Sequence, residues 1–92
     1  MIKDRESFEH VVKYILAKNF RLDESEIKNT DRFVDDLGAD SIDEVEVIVD
    51  FEVLYNLKFS VDDRKGSEKW TVQDFIDLIE RKIEERDNPK NK

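Results

Sequence analysis

The chain has 92 residues, enough for one domain with a modest hydrophobic core. Charged residues make up 43% of it and hydrophobic residues 38%, with two glycines and one proline, which is typical of a small, mostly helical domain. It contains no cysteine, which excludes disulfides, thiolate catalysis and zinc–sulfur sites. No apolar run approaches membrane-spanning length and no apolar signal segment opens the chain, so we expect a cytoplasmic protein without membrane insertion.

The first predicted element is a helix from about residue 4 to residue 18. Its apolar side chains follow helical spacing: Phe8, Val12, Ile15, Leu16 and Phe20. A long polar connection follows, in which Gly38 marks a turn. The only histidine, His10, has no metal-ligand or triad spacing around it, which favours a solvated surface residue.

Acidic residues crowd the next part of the chain. Between Asp35 and Glu52 there are eight acids and neither lysine nor arginine, and these eight account for the whole net charge of −8. Such a field repels nucleic acid and anionic lipid and attracts basic protein surfaces. A calcium-binding loop needs glycine at its sixth position, and the residue five before Gly38 is Phe33, which cannot bind calcium. No metal site is therefore predicted.

The second predicted helix runs from about Ser41 to Tyr55 and has two apolar faces. One face is the natural core face: Val47, Phe51, Leu54 and Tyr55. The nearly opposite face has four apolar residues flanked by acids. Burial of both faces is one interpretation, but a domain this small has few elements to cover them. We therefore predict an exposed surface that binds a basic partner, formed by Ile42, Asp43, Val45, Glu46, Val49, Asp50 and Val53.

Ser41 stands at the start of this helix. With Glu44 three residues later it matches a capping box, which predicts Ser41 as the N-cap. Capping alone explains a serine at this position. A catalytic serine would need a base close by, and His10 lies on a different predicted helix, so no enzyme activity is predicted.

Two further elements are predicted in the last third of the chain. Residues 59–69 could form a short third helix, although Gly66 costs about 1 kcal/mol there relative to alanine. Thr71 is a good N-cap for the last helix, whose apolar stripe is Val72, Phe75, Ile76, Ile79 and Ile83. Residues 87–92 are predicted as a disordered tail. The sequence thus predicts an all-α fold over residues 1–86, a small four-helix bundle with a long first loop and a short third helix.

The run Asp36-Leu37-Gly38-Ala39-Asp40-Ser41-Ile42-Asp43 resembles the attachment motif of the acyl carrier proteins. The resemblance extends without a gap back to the first helix, and forward to Thr71-Val72 at the last one. It implies that Ser41 carries 4′-phosphopantetheine, which a phosphopantetheinyl transferase takes from coenzyme A. It also implies a non-catalytic carrier, expected to be monomeric, that docks on basic patches of fatty-acid synthase enzymes.

The resemblance also implies an acyl pocket between the core face of the second helix and the 59–70 segment. Its predicted lining is Phe33, Val47, Phe51, Phe59 and Ile76. Phe51 stands where similar members of the family usually have leucine. The favoured function is a carrier of growing acyl chains in bacterial-type fatty-acid biosynthesis. A specialised polyketide, other acyl or aminoacyl carrier stays open as an alternative, as does an acidic helical adaptor that binds a basic partner.

Overall fold

The computed structural model describes residues 4–88, which fold into three α-helices joined by two connections. The helices are α1 (Arg5–Phe20), α2 (Ser41–Tyr55) and α3 (Val72–Asp87). The first connection, residues 21–40, contains a 3-10 turn at Glu24–Glu26, and the second, residues 56–71, contains two more at Asp62–Arg64 and Ser67–Lys69. Over the described residues the fold is therefore the small helical bundle that the sequence predicts.

In place of the predicted short third helix, the second connection contains two separate 3-10 turns. Gly66 separates them and has a φ of 76°, in the left-handed region that glycine adopts without steric cost. A right-handed helix cannot continue through a residue in this conformation. The segment is therefore two single turns with a break between them.

Helix α1 extends two residues beyond its predicted end. It begins after Asp4, whose carboxylate accepts hydrogen bonds from the backbone N–H groups of Glu6 and Ser7 at 3.1 and 3.2 Å. It ends at Phe20, and the next residue, Arg21, takes the left-handed conformation with a φ of 61°. All five apolar residues that predicted this helix are buried.

The hydrophobic core lies between the three helices and is rich in aromatic rings. Phe33, from the first connection, is fully buried, and its ring centroid lies 5.4 Å from those of Phe20 and Phe75. The ring of Phe51 on α2 meets that of Phe75 on α3 edge to face at 5.2 Å. The predicted stripe of α3 is buried along its whole length. These contacts hold α2 against α3.

Backbone hydrogen bonds tie the first connection to the start of α3. They run from Phe33 N–H to Trp70 O (3.0 Å), from Val72 N–H to Asp31 O (2.8 Å) and from Gln73 N–H to Asn29 O (2.9 Å). A further bond, from Ala39 N–H to Phe33 O at 2.8 Å, links this region to the approach to α2. The approach to α2 is therefore linked, through the first connection, to the chain around the start of α3.

Helix α3 begins as predicted. Thr71 is its N-cap: its hydroxyl accepts the N–H of Asp74, and the Asp74 carboxylate accepts the N–H of Thr71, both at 3.0 Å. The helix ends at Asp87, where the predicted tail begins. Residues 89–92 of that tail lie outside the described residues.

Candidate functional site: the start of α2

The start of α2 differs from the prediction in the residue that caps it. Asp40 is the N-cap: its carboxylate accepts the N–H of Asp43 at 2.9 Å, and the Asp43 carboxylate accepts the N–H of Asp40 at 3.2 Å. The predicted box of Ser41 and Glu44 is therefore wrong. The sequence contains two overlapping capping patterns, one residue apart. The acidic pair prevails because a carboxylate accepts a stronger hydrogen bond than a hydroxyl, and because a helix N-terminus favours negative charge.

Ser41 is consequently the first residue of the helix and not its cap. Its side chain is exposed, and its hydroxyl makes no hydrogen bond with any residue between 4 and 88. His10, the only histidine, is paired with Glu24 at 2.8 Å, and its exposed ring matches the predicted surface residue. The Ser41 hydroxyl is therefore accessible from solvent but has no histidine to activate it.

A turn at Gly38 brings the chain to Ser41. Gly38 has a φ of 72°, and its N–H donates to Val34 O at 3.2 Å. The next residue, Ala39, is buried. A side chain at position 38 would be strained in this conformation, although no atom would obstruct it. The glycine thus allows the tight turn that places a buried alanine and an exposed serine two residues apart.

The second apolar face of α2 is exposed, as predicted. Ile42 is 66% exposed and Val53 79%, and Val45 and Val49 between them are also exposed. Together these four residues form what we call the apolar stripe. Such an unburied apolar surface is uncommon in a small domain and marks a region available for contacts with other molecules.

The core face of α2 differs from the prediction at one residue. Leu54, predicted in the core, is 52% exposed, whereas Ile48 is buried. At about 100° per residue, the buried centre of the helix lies between Val47 and Ile48, and Leu54 falls at its edge. The buried face of α2 is thus turned toward Ile48 relative to the predicted face.

Most acids of the run between Asp35 and Glu52 already accept hydrogen bonds within the described residues. Asp50 accepts one from the Asn19 amide of α1 at 2.9 Å, and Asp43 belongs to the capping box. Four other acids of the run are bound elsewhere: Asp35 and Asp36 to Arg32, Glu44 to Ser67 and Glu52 to the N–H of Phe59. Glu46 is exposed and has no hydrogen bond or ion pair with residues 4–88. Of the three acids predicted to bind a partner, Glu46 is the one without a structural role.

The residues predicted to line an acyl pocket lie together in the core. Four of them are fully buried in one cluster: Phe33, Val47, Phe51 and Ile76. Phe59 is half-buried against the edge of that cluster, with the Lys82 ammonium 5.8 Å from its ring centroid. Side chains in contact occupy this part of the core, so a chain could enter only if some of them moved.

Neither a metal cluster nor a membrane span is found in the part of the chain that the structure describes. Between residues 4 and 88, no group of three or more histidine and acidic side chains is placed to hold a metal ion. None of the three α-helices is long and apolar enough to cross a membrane.

Comparison with known proteins identifies the family. A family model described as a phosphopantetheine attachment site matches residues 10–79, a range that includes Ser41, so the chain is a phosphopantetheine-binding protein. The chain is also 38% identical, over 79 residues, to an acyl carrier protein of Thermotoga maritima; the alignment covers 86% of this chain and 95% of the relative. The chain belongs to the acyl carrier protein family.

The cap assignment leads to a prediction for two neighbouring substitutions. Asp40→Ala should lower the free energy of unfolding by about 1 kcal/mol, because it removes the acceptor for the Asp43 N–H. Ser41→Ala should change it by less than about 0.5 kcal/mol, since the exposed hydroxyl holds no backbone group. Urea denaturation of both variants measures the difference. A larger loss in the serine variant would restore Ser41 as the cap.

Proposed function

We propose that this protein carries growing acyl chains for fatty-acid biosynthesis on 4′-phosphopantetheine attached to the Ser41 hydroxyl. The observation that carries the proposal is the exposed Ser41, free of hydrogen bonds to residues 4–88, at the start of a helix in an acyl carrier protein fold. The protein itself acts as a non-catalytic carrier. When bound, the prosthetic group supplies the thiol on which acyl chains are held as thioesters.

The residues around Ser41 suit a group that is attached but not held tightly. The hydroxyl oxygen can take the phosphopantetheine group as the pyrophosphate bond of coenzyme A breaks, which forms a phosphodiester without giving up any contact with residues 4–88. Backbone N–H groups at a helix N-terminus attract phosphate. Here, however, Asp40 and Asp43 bring negative charge to the same turn, and their carboxylates already bind one another's N–H groups. The site therefore repels a phosphate as well as attracting it, and leaves it mobile.

The apolar stripe is the surface through which partners would dock. Ile42, Val45, Val49 and Val53 are exposed on the same helix that begins at Ser41. Glu46 lies beside them, and its carboxylate has no hydrogen bond or ion pair with residues 4–88. A phosphopantetheinyl transferase or synthase enzyme with a basic rim around an apolar groove complements this surface. The charged neighbours Asp43 and Asp50 add to the negative field. We propose a cytoplasmic monomer that docks transiently on such enzymes.

The test is a two-stage reconstitution. The protein is first incubated with coenzyme A and a phosphopantetheinyl transferase, and its intact mass is measured. The loaded protein is then supplied to purified bacterial fatty-acid synthase enzymes, and the attached acyl chains are identified. A mass gain followed by chain elongation supports the proposal. Loading without elongation would favour a specialised carrier, and a protein that is never loaded would favour an acidic adaptor.

The residue at position 51 should limit the length of acyl chain that the core accepts. Phe51 is fully buried, 5.2 Å from the ring of Phe75, and a smaller leucine would leave space there. Phe51→Leu should destabilise the unloaded protein by about 1–2 kcal/mol. The variant should then gain more stability than the wild type from long attached acyl chains. The test is the melting temperature of both proteins, measured as the attached acyl chain is lengthened. An equal rise with acyl-chain length in the two proteins would contradict the prediction.

A further inference from the structure

The second connection is anchored in the core near its ends by the buried Leu57 and Trp70, and a few polar contacts hold the part between them to the helices. The Phe59 N–H donates to the Glu52 carboxylate at 2.9 Å, and the Ser67 hydroxyl donates to the Glu44 carboxylate at 3.0 Å. Both of these acceptors belong to α2. The polar contacts of this part with α3 are made by Asp63, chiefly through its ion pair with Lys82. The connection contains only single 3-10 turns, so these side chains supply much of what fixes it in place.

The Asp63–Lys82 pair is more shielded from solvent than the other ion pairs between described residues. Its N–O distance is 2.7 Å, and the two side chains are 14% and 15% exposed. Arg81 adds a second, longer contact to the same carboxylate at 3.4 Å. Exposed ion pairs contribute little to stability, but removing one partner of a shielded pair leaves a charge without compensation. Among the ion pairs, this is therefore the strongest tie between the second connection and α3, in addition to the packing of Trp70 on Phe75.

Asp63 also organises the connection itself. Its carboxylate accepts the N–H of Ser60 at 2.9 Å, and its own N–H donates to the Ser60 hydroxyl at 3.1 Å. Burial acts to raise the pKa of Asp63, but the hydrogen bonds from Lys82 and Ser60 together outweigh it and lower that pKa below its usual range. The carboxylate is thus charged at neutral pH and joins the first 3-10 turn to α3.

An acyl chain can enter the core only where the structure gives way. The rings of Phe33, Phe51 and Phe75 are fully buried and in contact. Helices α2 and α3 are packed on one another through Phe51 and Phe75, with Phe33 of the first connection against Phe75, whereas the second connection is largely exposed. Displacement of this connection therefore disrupts less packing than displacement of a helix.

We propose that the Asp63–Lys82 pair is a latch that keeps the second connection closed and determines how readily an acyl chain enters the core. The first part of this proposal, the mechanical part, is that the ion pair holds the connection against α3, and it applies to the protein with or without an attached group. The part about acyl chains rests on the proposed function.

The mechanical part is tested on the unloaded protein. Lys82→Met removes the charge and keeps most of the stem, and the matched control is Lys65→Met, since Lys65 pairs with Asp62 only at an exposed site and 3.5 Å. Amide hydrogen exchange is read at Arg64 and Trp70, whose N–H groups bond within the connection. Exchange at these two amides should rise about tenfold in Lys82→Met relative to amides in the middle of α1, and stay unchanged in the control.

Two further variants and one optical readout keep this test decisive. Asp63→Asn can still accept the Ser60 N–H but loses the charge, so it should reproduce the effect of Lys82→Met even if that variant folds poorly. Lys82→Arg keeps the positive charge, so the amides of Arg64 and Trp70 should exchange as slowly as in the wild type. Trp70 is the only tryptophan and is buried, so acrylamide quenching of its fluorescence should increase in the two opened variants. Wild-type exchange and quenching in both Lys82→Met and Asp63→Asn would overturn the latch.

The second part uses protein loaded with acyl chains of increasing length. If entry requires the latch to open, Lys82→Met has already lost the contact that opposes entry, so long chains should raise its melting temperature more than that of Lys65→Met. Equal gains in both variants would overturn the role in acyl entry and leave the mechanical result intact. Failure of the wild type to become loaded would instead overturn the proposed function, while the exchange data would still decide whether the latch exists.

Discussion

Ser41→Ala should abolish loading with 4′-phosphopantetheine while the protein keeps its fold. The hydroxyl oxygen is the proposed attachment atom, and no other side chain in the first turn of α2 carries a hydroxyl that could replace it. The methyl group of alanine removes the nucleophile and disturbs no contact with residues 4–88. Intact mass after incubation with coenzyme A and transferase should show complete conversion of the wild type and none of the variant.

The control for this experiment is Ser25→Ala. Ser25 is also exposed, in the 3-10 turn of the first connection, so it tests whether any accessible serine accepts the group. The Ser25 variant should be loaded like the wild type. Melting curves of both variants should match that of the wild type. A loaded, folded Ser41→Ala protein would rule out Ser41 as the attachment point.

Glu46→Lys should slow association with the transferase about five- to tenfold at low salt. The exposed Glu46 carboxylate lies beside the apolar stripe and has no partner within residues 4–88, so its reversal changes the field that a basic enzyme meets without breaking an internal contact. Asp43→Lys would be harder to interpret, because it also removes the acceptor for the Asp40 N–H. Association rates over a range of ionic strengths provide the measurement.

The matched control is Glu84→Lys, an equal change of charge at an exposed position on α3. This variant should associate at nearly the wild-type rate. Raising the salt concentration should lower the association rate of the wild type and reduce its difference from that of Glu46→Lys, because screening weakens the attraction between exposed charges. If Glu46→Lys and Glu84→Lys slowed association equally, only the net charge would matter and not the surface around Ser41.

Periodicity predicted the helices and most of the core, because burial repeats along a helix at regular intervals. The stripes of α1 and α3 and the exposed stripe of α2 were all predictable in this way. Leu54 was not, because the rotation of α2 depends on how α1 and α3 pack on it, which periodicity within one helix does not reveal. The cap was misassigned for a different reason: two overlapping patterns satisfied the same rule, and their relative strength depends on charge.

The candidate site was predictable in outline, and less so in the role of each acid. A dense run of carboxylates predicts a negative surface, but the structure shows that most of them hold parts of the fold. Asp50 binds Asn19 of the preceding helix, and Glu52 binds the N–H of Phe59 in the following connection. Such pairings join residues far apart in the chain or follow from a local turn, so composition does not distinguish a structural acid from Glu46.

The backbone bonds between the first connection and the start of α3 have a consequence for how the chain folds. They join Phe33 to Trp70 and thereby close a ring of chain that contains all of α2. Closing a ring of this length costs about 3 kcal/mol of chain entropy beyond a fixed term. Each helix can form from contacts between near neighbours, whereas this closure must wait for distant segments to meet. Completion of the ring is therefore the topologically demanding step of folding, and Ser41 acquires its final position only when that step is complete.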